Sequence, residues 1–267
     1  MAEDKKKIAE AINVLGDFCG VRDIDVLTQA ELKNKFGMSQ VDIAVLFGGS
    51  ILAGGDVFSE TMKNNLAKKY IIVGGAGHTT ETFREKMSAV LNKKFSDDST
   101  EADLFNEYLK EKYNLQTDFL ERESTNCGNN ITLLLSLLQR ENIPYESVLM
   151  IQDSTMQRRM EASWRRYIGK QTIVNYAAYR VKVIVVNDEL QFEQIPSGMW
   201  NLERYIQLLM GDVARLQDNA EGYGPRGKNF IAHVDIPESV LTAFLYLKNY
   251  FKVREANPNY AGTPTAV

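Results

Sequence analysis

Short runs of β-branched and apolar residues alternate with helical patterns along the middle of the chain. The strand-like runs cover residues 41–47, 70–73, 118–120 and 147–151. Apolar residues at helical spacing predict helices over 59–69, 81–91, 100–112, 129–142 and 155–168. A further run at 181–186 is β-branched almost throughout, as strands buried on both faces are. This alternation predicts an α/β fold, a Rossmann-like open parallel sheet of about five strands flanked by helices.

The two ends of the chain have helical patterns without strand-like runs. Near the N-terminus an amphipathic stripe is followed by a second predicted helix over 29–36, and helical spacing returns after Pro196. A last helix is predicted to begin near Pro237, a residue suited to the first turn of a helix. We therefore expect one folded unit over residues 1–267. Its parts are an α/β core over 41–186 and an α-helical cap subdomain from 1–40 together with 198–267.

Each of the four clear strand-like runs leads directly into glycines and polar side chains. The four clusters are Gly48-Gly49-Ser50, Gly74-Gly75-Ala76-Gly77-His78, Glu121 with Ser124-Thr125-Asn126, and Gln152-Asp153. In open parallel sheets, ligands bind outside the carboxyl ends of the strands, where loop amides and helix N-termini converge. The sequence therefore predicts one ligand site built from four loops.

The two glycine loops favour either an anion site or a tight turn. Glycine lets backbone amides approach a ligand without a Cβ in the way, so Gly48-Gly49 and Gly74-Gly75-Ala76-Gly77 are candidate amide-lined nests. A tight turn from strand to helix explains the same residues. His78 is placed for proton transfer or phosphate contact, or else for bracing its loop. Neither loop matches G-x-G-x-x-G or the phosphate loop, which disfavours nicotinamide and nucleoside triphosphate ligands.

The third cluster precedes a predicted helix. One residue of Ser124-Thr125-Asn126 is expected to be the N-cap, which leaves the other polar side chains of the cluster to be explained. Glu121 at the strand end and Asn130 in the first turns of the helix are expected to face the ligand. Cys127 has no clear paired base, so we interpret it as a small residue in a tight turn rather than a nucleophile.

Three arginines are candidate anion clamps. Arg158 and Arg159 follow the fourth cluster by one helical turn, a position typical of phosphate or carboxylate recognition, with a surface ion pair as the alternative. Arg226 lies with Tyr223 in a glycine-rich loop over 221–228. This loop is either a lid that closes over the crevice or a structural loop that pins the cap to the core.

The composition narrows the range of partners. The 267 residues carry a formal net charge of −4 and the basic residues are scattered, so no nucleic-acid partner is expected. Two cysteines and two histidines offer no recognisable metal-ligand spacing, so no metal is expected. No apolar run has the length of a signal peptide or membrane span, which predicts a cytoplasmic protein without a membrane partner. The sequence does not determine the oligomeric state.

Taken together, these motifs resemble the YdcF-like family, which is related to SanA-like bacterial proteins of unassigned function. The residues that carry the resemblance, across nearly the whole chain, are Gly74-Gly75, Gly77-His78, Glu101-Ala102, Glu121, Ser124-Thr125-Asn126-Cys127-Gly128, Asn130, Gln152-Asp153, Thr155-Met156-Gln157-Arg158-Arg159, Gly222-Tyr223-Gly224-Pro225-Arg226-Gly227 and His233-Val234-Asp235-Ile236-Pro237.

The resemblance implies a Rossmann-like fold with a helical subdomain, and it adds Glu101 to the site because the family pattern has an acidic residue there. It also implies a nucleotide-like small-molecule ligand, with S-adenosylmethionine as the named candidate cofactor. Two positions depart from the family pattern: Met156 replaces a frequent histidine, and Asn129 replaces an acidic residue. Both departures weaken any scheme that uses those positions for proton transfer or metal binding.

Two functions fit the predicted site. In the first, the protein is an enzyme acting on a small anionic or nucleotide-type molecule, with His78, Glu101 and Glu121 as acid–base groups. The three arginines then bind the anion, and Asp153 or Glu121 accepts hydrogen bonds from ribose hydroxyls. In the second, a ligand-binding or sensor protein uses the same crevice without turnover.

Overall fold

Five parallel strands form the central sheet of the protein. The computed structural model describes residues 2–49, 51–77 and 79–255. The strands are β1 Val41–Phe47, β2 Ala67–Val73, β3 Phe119–Glu121, β4 Ser147–Gln152 and β5 Thr172–Ala177, and they pair in the order β3-β2-β1-β4-β5. The predicted fold class, an α/β protein with a Rossmann-like open sheet, is confirmed.

Helices cover both faces of this sheet and extend beyond it. They are α1 Ala2–Cys19, α2 Gln29–Phe36, α3 Ala53–Lys63, α4 Thr80–Leu91, α5 Glu101–Tyr113, α6 Cys127–Arg140, α7 Gln157–Arg165, α8 Leu202–Leu216 and α9 Glu238–Leu247. Within the described ranges, no helix is both long and apolar enough to cross a lipid bilayer.

Strand β1 is central and buried on both faces. Ile43, Val45 and Phe47 belong to the apolar cluster with α6 and α7, where the rings of Phe47 and Trp164 meet edge to face at 6.0 Å. Leu46 belongs to the cluster on the opposite face, which includes α3 and α5. Burial on both faces explains why a nearly continuous apolar run marked this strand in the sequence.

The fifth strand of the sheet is not the run that the sequence predicted. Val183–Val186 forms strand β6, which pairs antiparallel with β7, Glu189–Phe192, in a separate two-stranded sheet. Val186 is 37% exposed, so burial on both faces is also wrong. The true fifth strand, β5, lacks a continuous apolar pattern because it contains Asn175, which is buried with its amide hydrogen-bonded to Asp23 and Gln157.

The helix between β1 and β2 starts earlier than predicted. The sequence pattern indicated 59–69, whereas α3 covers Ala53–Lys63 and the last three predicted residues belong to β2. Two glycines near the start of α3 hid its beginning, because glycine is a poor helix former. At position 55, α3 and α5 pack so closely that a Cβ would lie 2.7 Å from Cδ1 of Tyr108, which favours glycine there.

The N-terminal segment connects the sheet to the terminal helices. The predicted amphipathic stripe of α1 is buried, and α1 packs against α8 and α9. Past α1, the backbone of Val21 accepts a 3.0 Å hydrogen bond from Ala177, and Asp23 donates to Asn175 O at 2.9 Å. These bonds cover the edge of β5, which would otherwise present unpaired backbone groups. The division into a core over 41–186 and a helical cap stays a prediction.

Asp42, at the start of β1, ties that strand to the start of β4. Its Oδ2 accepts hydrogen bonds from the backbone of Glu146 and from Ser147, and its Oδ1 accepts one from Lys68. Burial raises the pKa of Asp42, but these donors outweigh it and bring the pKa down to about 2. Its carboxylate therefore contributes stability that is present above its usual pKa near 3.8 and is lost as the pH falls through about 2.

We expect Asp42→Asn to lower the free energy of unfolding by about 1–2 kcal/mol near neutral pH, because the charge-assisted bonds are lost. Urea unfolding followed between about pH 7 and pH 2 checks this, and the gap to wild type should close at the acid end. Lys68→Gln is the matched control: the Lys68 side chain is 64% exposed, so its loss should cost well under about 1 kcal/mol. A difference in the free energy of unfolding between wild type and Asp42→Asn that does not change with pH would contradict the charge argument.

Candidate functional site

The order of the strands reverses between β1 and β4, and a ligand crevice is expected at the carboxyl ends of these two strands. The chain adds β2 and β3 on one side of β1 and then crosses to the other side for β4 and β5. Such a reversal opens a ligand crevice in doubly wound sheets. The first and fourth polar clusters meet there, because a Cβ on Gly49 would lie 3.5 Å from Oε1 of Gln152 and 3.9 Å from Cβ of Asp153.

The glycine loops after β1 and β2 are packed against α5. A Cβ on Gly48 would overlap Oε2 of Glu101, and a Cβ on Gly74 would lie 3.0 Å from Cβ of Glu101. These glycines therefore permit a close approach of backbone to side chain. Neither adopts a positive φ.

The backbone amides of these loops are largely used within the protein. Gly48 donates to Val73 O, Gly74 to Glu121 O, Gly75 to Ser124 Oγ and Gly77 to Thr80 Oγ1. The interpretation of both loops as amide-lined anion nests is therefore wrong for these four amides. The alternative from the sequence, a tight connection from strand to helix, describes them better.

Glu101 is the first residue of α5 and a buried carboxyl beside the crevice. Its amide donates to Gly75 O, and its Oε1 accepts hydrogen bonds from Oγ1 of Thr80 at 3.0 Å and of Thr79 at 3.4 Å. The residue is 8% exposed. Burial raises its pKa to about 7, although the threonine hydroxyls oppose the shift. A carboxyl that titrates near neutral pH can both donate and accept a proton, which suits acid–base chemistry.

Glu121, at the end of β3, is a second buried carboxyl with a raised pKa. Burial causes the shift, and hydrogen bonds from Ser124 and from the backbone of Glu123 oppose it. Its Oε1 accepts from the amides of Glu123 and Ser124 at 2.6 and 3.1 Å. Its Oε2 is buried and has no hydrogen-bond partner. One oxygen of Glu121 therefore organises the loop, and the other is left to bind something else.

The N-terminus of α6 has a capping box that accounts for part of the third cluster. Asn126 is the N-cap, and its side chain accepts from Gly128 N at 2.9 Å and Asn129 N at 3.1 Å. In return, Oδ1 of Asn129 accepts from the amides of Asn126 and Thr125. The expectation that one of residues 124–126 caps the helix is confirmed. An amide at position 129, where the resembled family often has an acid, has the role of closing this box.

Three further residues line the start of α6 and α7. Asn130, predicted to face the ligand, is 8% exposed in the first turns of α6. Sγ of Cys127 lies 4.0 Å from Sδ of Met156. Met156, which stands where the family resemblance would put a histidine, thus contacts a thiol and brings no imidazole to this corner.

At the end of β4, Asp153 and Gln152 have opposite roles. The carboxylate of Asp153 accepts bonds from Thr155 N and Oγ1, from Tyr179 OH at 2.9 Å and from Trp200 Nε1 at 3.0 Å. Three of these donors bond Oδ1 and only Trp200 bonds Oδ2, so Asp153 mainly organises the site, and Oδ2 keeps room for one further donor. By contrast, Nε2 of the 1%-exposed Gln152 is buried without a partner.

Two of the three predicted anion clamps are engaged with the terminal helices. Arg158 donates from Nε to Phe18 O at 2.5 Å, and its guanidinium lies 4.3 Å from the centre of the Phe18 ring. Arg159 pairs through Nε with the buried carboxylate of Asp212 at 3.0 Å. The first arginine fastens α1, and the second links α7 to α8. The partner of Arg159 is thus a carboxylate of the protein itself.

The glycine-rich loop is closed on itself around Asp218. This carboxylate accepts from Arg226 through the backbone amide and Nε, and from His233 Nδ1 at 2.8 Å. The rings of Tyr223 and Phe230 pack edge to face at 5.2 Å. Arg226 is therefore an exposed partner of Asp218 rather than a clamp over the strand ends. These contacts favour the second interpretation from the sequence, a structural loop that pins the cap.

Sequence reasoning missed the residues that approach the site from outside the four loops. Trp200 bonds Asp153, and Nζ of Lys86 lies 4.9 Å from the centre of the Trp200 ring while donating to Gly198 O. Thr79 and Thr80, which bond Glu101, were also missed. The only local signal was the glycine and tryptophan soon after Pro196; their link to β4 depends on tertiary contacts.

Two residues of the predicted loops, His78 and Ser50, lie outside the described residues. Among the described ones, no group of three or more His, Cys, Asp and Glu side chains is arranged to hold a metal ion. The sheet order defines a Rossmann-like α/β protein, and the ligand crevice at its switch point stays a prediction. No protein-family model matches the chain. The relation to the YdcF-like family therefore stays a prediction.

We expect Glu101→Gln to make the protein more stable than wild type at about pH 8 and similar to it near pH 4.5. The folded-state pKa of Glu101 lies above its usual value of 4.5, so wild-type stability falls as the pH rises through about 7, whereas glutamine stays neutral. The difference at the alkaline end should be about 1–3 kcal/mol. Urea unfolding at both pH values measures it, and equal curves at about pH 8 would mean that Glu101 is not buried as a neutral acid.

Proposed function

We propose that this protein binds a small nucleotide-like ligand across the carboxyl ends of β3, β2, β1 and β4 and acts on it as an enzyme. S-adenosylmethionine is the first candidate, because the resemblance to the YdcF-like family implies it. The observation that carries the proposal is a pair of buried, unpartnered polar atoms at two ends of the same crevice: Oε2 of Glu121 and Nε2 of Gln152.

A buried polar atom without a hydrogen-bond partner lowers the stability of the protein, so its position can indicate where a ligand supplies the missing partner. Each costs about 1–3 kcal/mol when no partner is supplied. Among the described residues, only one other buried side-chain atom, Nε of Arg84, shares this state. Two of the three thus belong to the last residues of β3 and β4, at the carboxyl edge of the sheet, where a ligand can pair with them. The acceptor at Glu121 and the donor at Gln152 suit a molecule with hydroxyl groups.

The distance between these atoms favours an elongated ligand. β3 and β4 are separated by β2 and β1, which makes three inter-strand spacings of roughly 4.8 Å, or about 14 Å in all. Phosphate, a simple carboxylate or a single sugar is too short to reach both ends. A nucleoside with an extended substituent has a suitable length, which favours the nucleotide-like reading over a small anion.

S-adenosylmethionine meets these requirements. The amino group of its adenine can donate to a carboxylate such as Glu121 at one end, and the carboxylate of its methionine part can accept from an amide such as Gln152 at the other. When bound, it supplies an activated methyl group. Glu101 lies beside the same loops with a pKa of about 7, so it can accept or release a proton at neutral pH. We place the activity in the cytoplasm, in keeping with the composition.

A non-catalytic sensor is the second candidate. It is favoured by Met156, which stands where the resembled family often has a histidine and contacts Cys127. The two functions differ in what Glu101 does. In an enzyme, Glu101→Gln should abolish turnover and leave ligand affinity within about threefold. In a sensor, wild type shows no turnover, and the variant should leave the response to ligand unchanged.

Gln152→Glu should weaken ligand binding by about tenfold or more, because it replaces the unpartnered donor with an oxygen and keeps the Oε1 that accepts from Asp153 N. Glu121→Gln should weaken binding in the same way by replacing an acceptor. Calorimetric titration with S-adenosylmethionine, S-adenosylhomocysteine, adenosine monophosphate and ribose 5-phosphate measures the affinities. The adenosyl compounds should bind most tightly.

Gln139→Glu is the matched control, since it makes the same chemical change at an exposed position in the last turn of α6. It should leave every affinity unchanged. Thermal unfolding of each variant establishes that it is folded. Absence of saturable binding by all four compounds, or equal binding by wild type, Gln152→Glu and Glu121→Gln, would overturn the proposal.

A further inference from the structure

A second cavity, of about 740 Å³, lies among the C-terminal elements. Residues of α8, the glycine-rich loop, α9 and the segment 253–255 line it. On α8, Gly211 and Arg215 line this cavity, whereas Asp212 bonds Arg159 of α7. None of the described residues that line it belongs to the loops after β1, β2, β3 or β4, so it is distinct from the predicted crevice at the strand ends.

The cavity is more basic than the chain as a whole. Its lining includes Arg215, Lys228, Lys248 and Arg254, against two acids, Glu221 and Glu255. Four cations and two carboxylates give a local formal charge of +2, while the whole chain carries −4. A concentration of positive charge on an acidic protein indicates an anionic occupant.

Two of the four cations make no ion pair with a described residue. Nζ of Lys228 lies 5.2 Å from the centre of the Tyr223 ring, and Nζ of Lys248 lies 5.9 Å from that of Phe244. Contact with an aromatic face orients an ammonium group without neutralising it. Arg215 is held in place by a hydrogen bond from Nη2 to Arg254 O, and its Nη1 lies 3.9 Å from Oδ1 of Asp212. The two lysine ammonium groups are thus positioned and retain their charge for an anion.

The wall contributed by α9 is apolar. Leu241, Phe244 and Leu245 line it, and Val253 adds to it from the following segment. Leu245 is 61% exposed, so part of its apolar side chain is open to a ligand. The cavity therefore combines a hydrocarbon surface with cations at its rim.

We propose that this cavity binds a small amphipathic anion, a carboxylate or phosphate monoester attached to a hydrocarbon or aromatic body. Its volume lies within the range of about 300–1,000 Å³ that small-molecule sites occupy. The charged head contacts Lys228, Lys248 and Arg215, and the apolar body lies along Leu241 and Leu245. Charge and apolar surface are both required, so neither a bare anion nor a neutral hydrocarbon chain should bind as well.

Calorimetric titration of the full chain with decanoate, decanol and acetate tests the proposal. Decanoate should bind saturably and at least about tenfold more tightly than either of the others, because only it has both features. The double variant Lys228→Gln/Lys248→Gln should weaken decanoate by about tenfold and leave decanol unchanged. Leu245→Ser should weaken both decanoate and decanol.

Lys110→Gln/Lys170→Gln is the matched control, since it removes the same charge from two exposed positions elsewhere and should have no effect. Equal affinity for decanol and decanoate would overturn the anion assignment. No saturable binding of decanoate, unchanged affinity in the Lys228/Lys248 double variant, or displacement of decanoate by S-adenosylmethionine would overturn the site. Loss of decanoate binding in the Gln152→Glu variant would likewise overturn the site, because it would mean that decanoate binds in the crevice at the strand ends.

Discussion

Close packing between two glycine loops and one carboxyl side chain determines the form of the site. Gly48 and Gly74 bring the backbone at the ends of β1 and β2 against Glu101, and the carbonyls of Gly74 and Gly75 accept from the first amides of α5. A single Cβ at either glycine would push this helix away. Because the contact also excludes water from Glu101, the geometry that joins strand to helix is the same geometry that raises the pKa of this residue.

A second set of polar contacts fastens the sheet to the terminal helices. Asp153 collects donors from Tyr179 and Trp200, and Asp212 receives Arg159 from α7. Both carboxylates are nearly fully buried, so removing either set of partners would leave an uncompensated charge. Several residues that the sequence suggested as ligand contacts therefore bond other parts of the protein. Only the few polar atoms without such a partner are left for a ligand.

Elements buried on both faces were predictable, and elements whose environment is set by distant partners were not. β1 and β4 have continuous apolar runs because helices cover both sides of them. β5 was missed because Asn175 interrupts its pattern, and that residue is tolerated only because Asp23 and Gln157 bond it. In the site, the proximity of the four loops could be predicted from the parallel topology. The hydrogen-bond partners of each side chain could not.

By itself the sequence determined the α/β alternation, the parallel sheet and the presence of polar clusters at four strand ends, because hydrophobic period and glycine placement are local properties of the chain. Tertiary structure alone decided that most of the hydrogen-bond capacity of Asp153 is used within the protein while Gln152 keeps a donor, and that Arg158 bonds α1. The partners of a buried polar atom are its neighbours in space, and many of them are far away in sequence, as Trp200 is from Asp153 and Phe18 is from Arg158. Which buried atoms remain without a partner therefore depends on the tertiary structure.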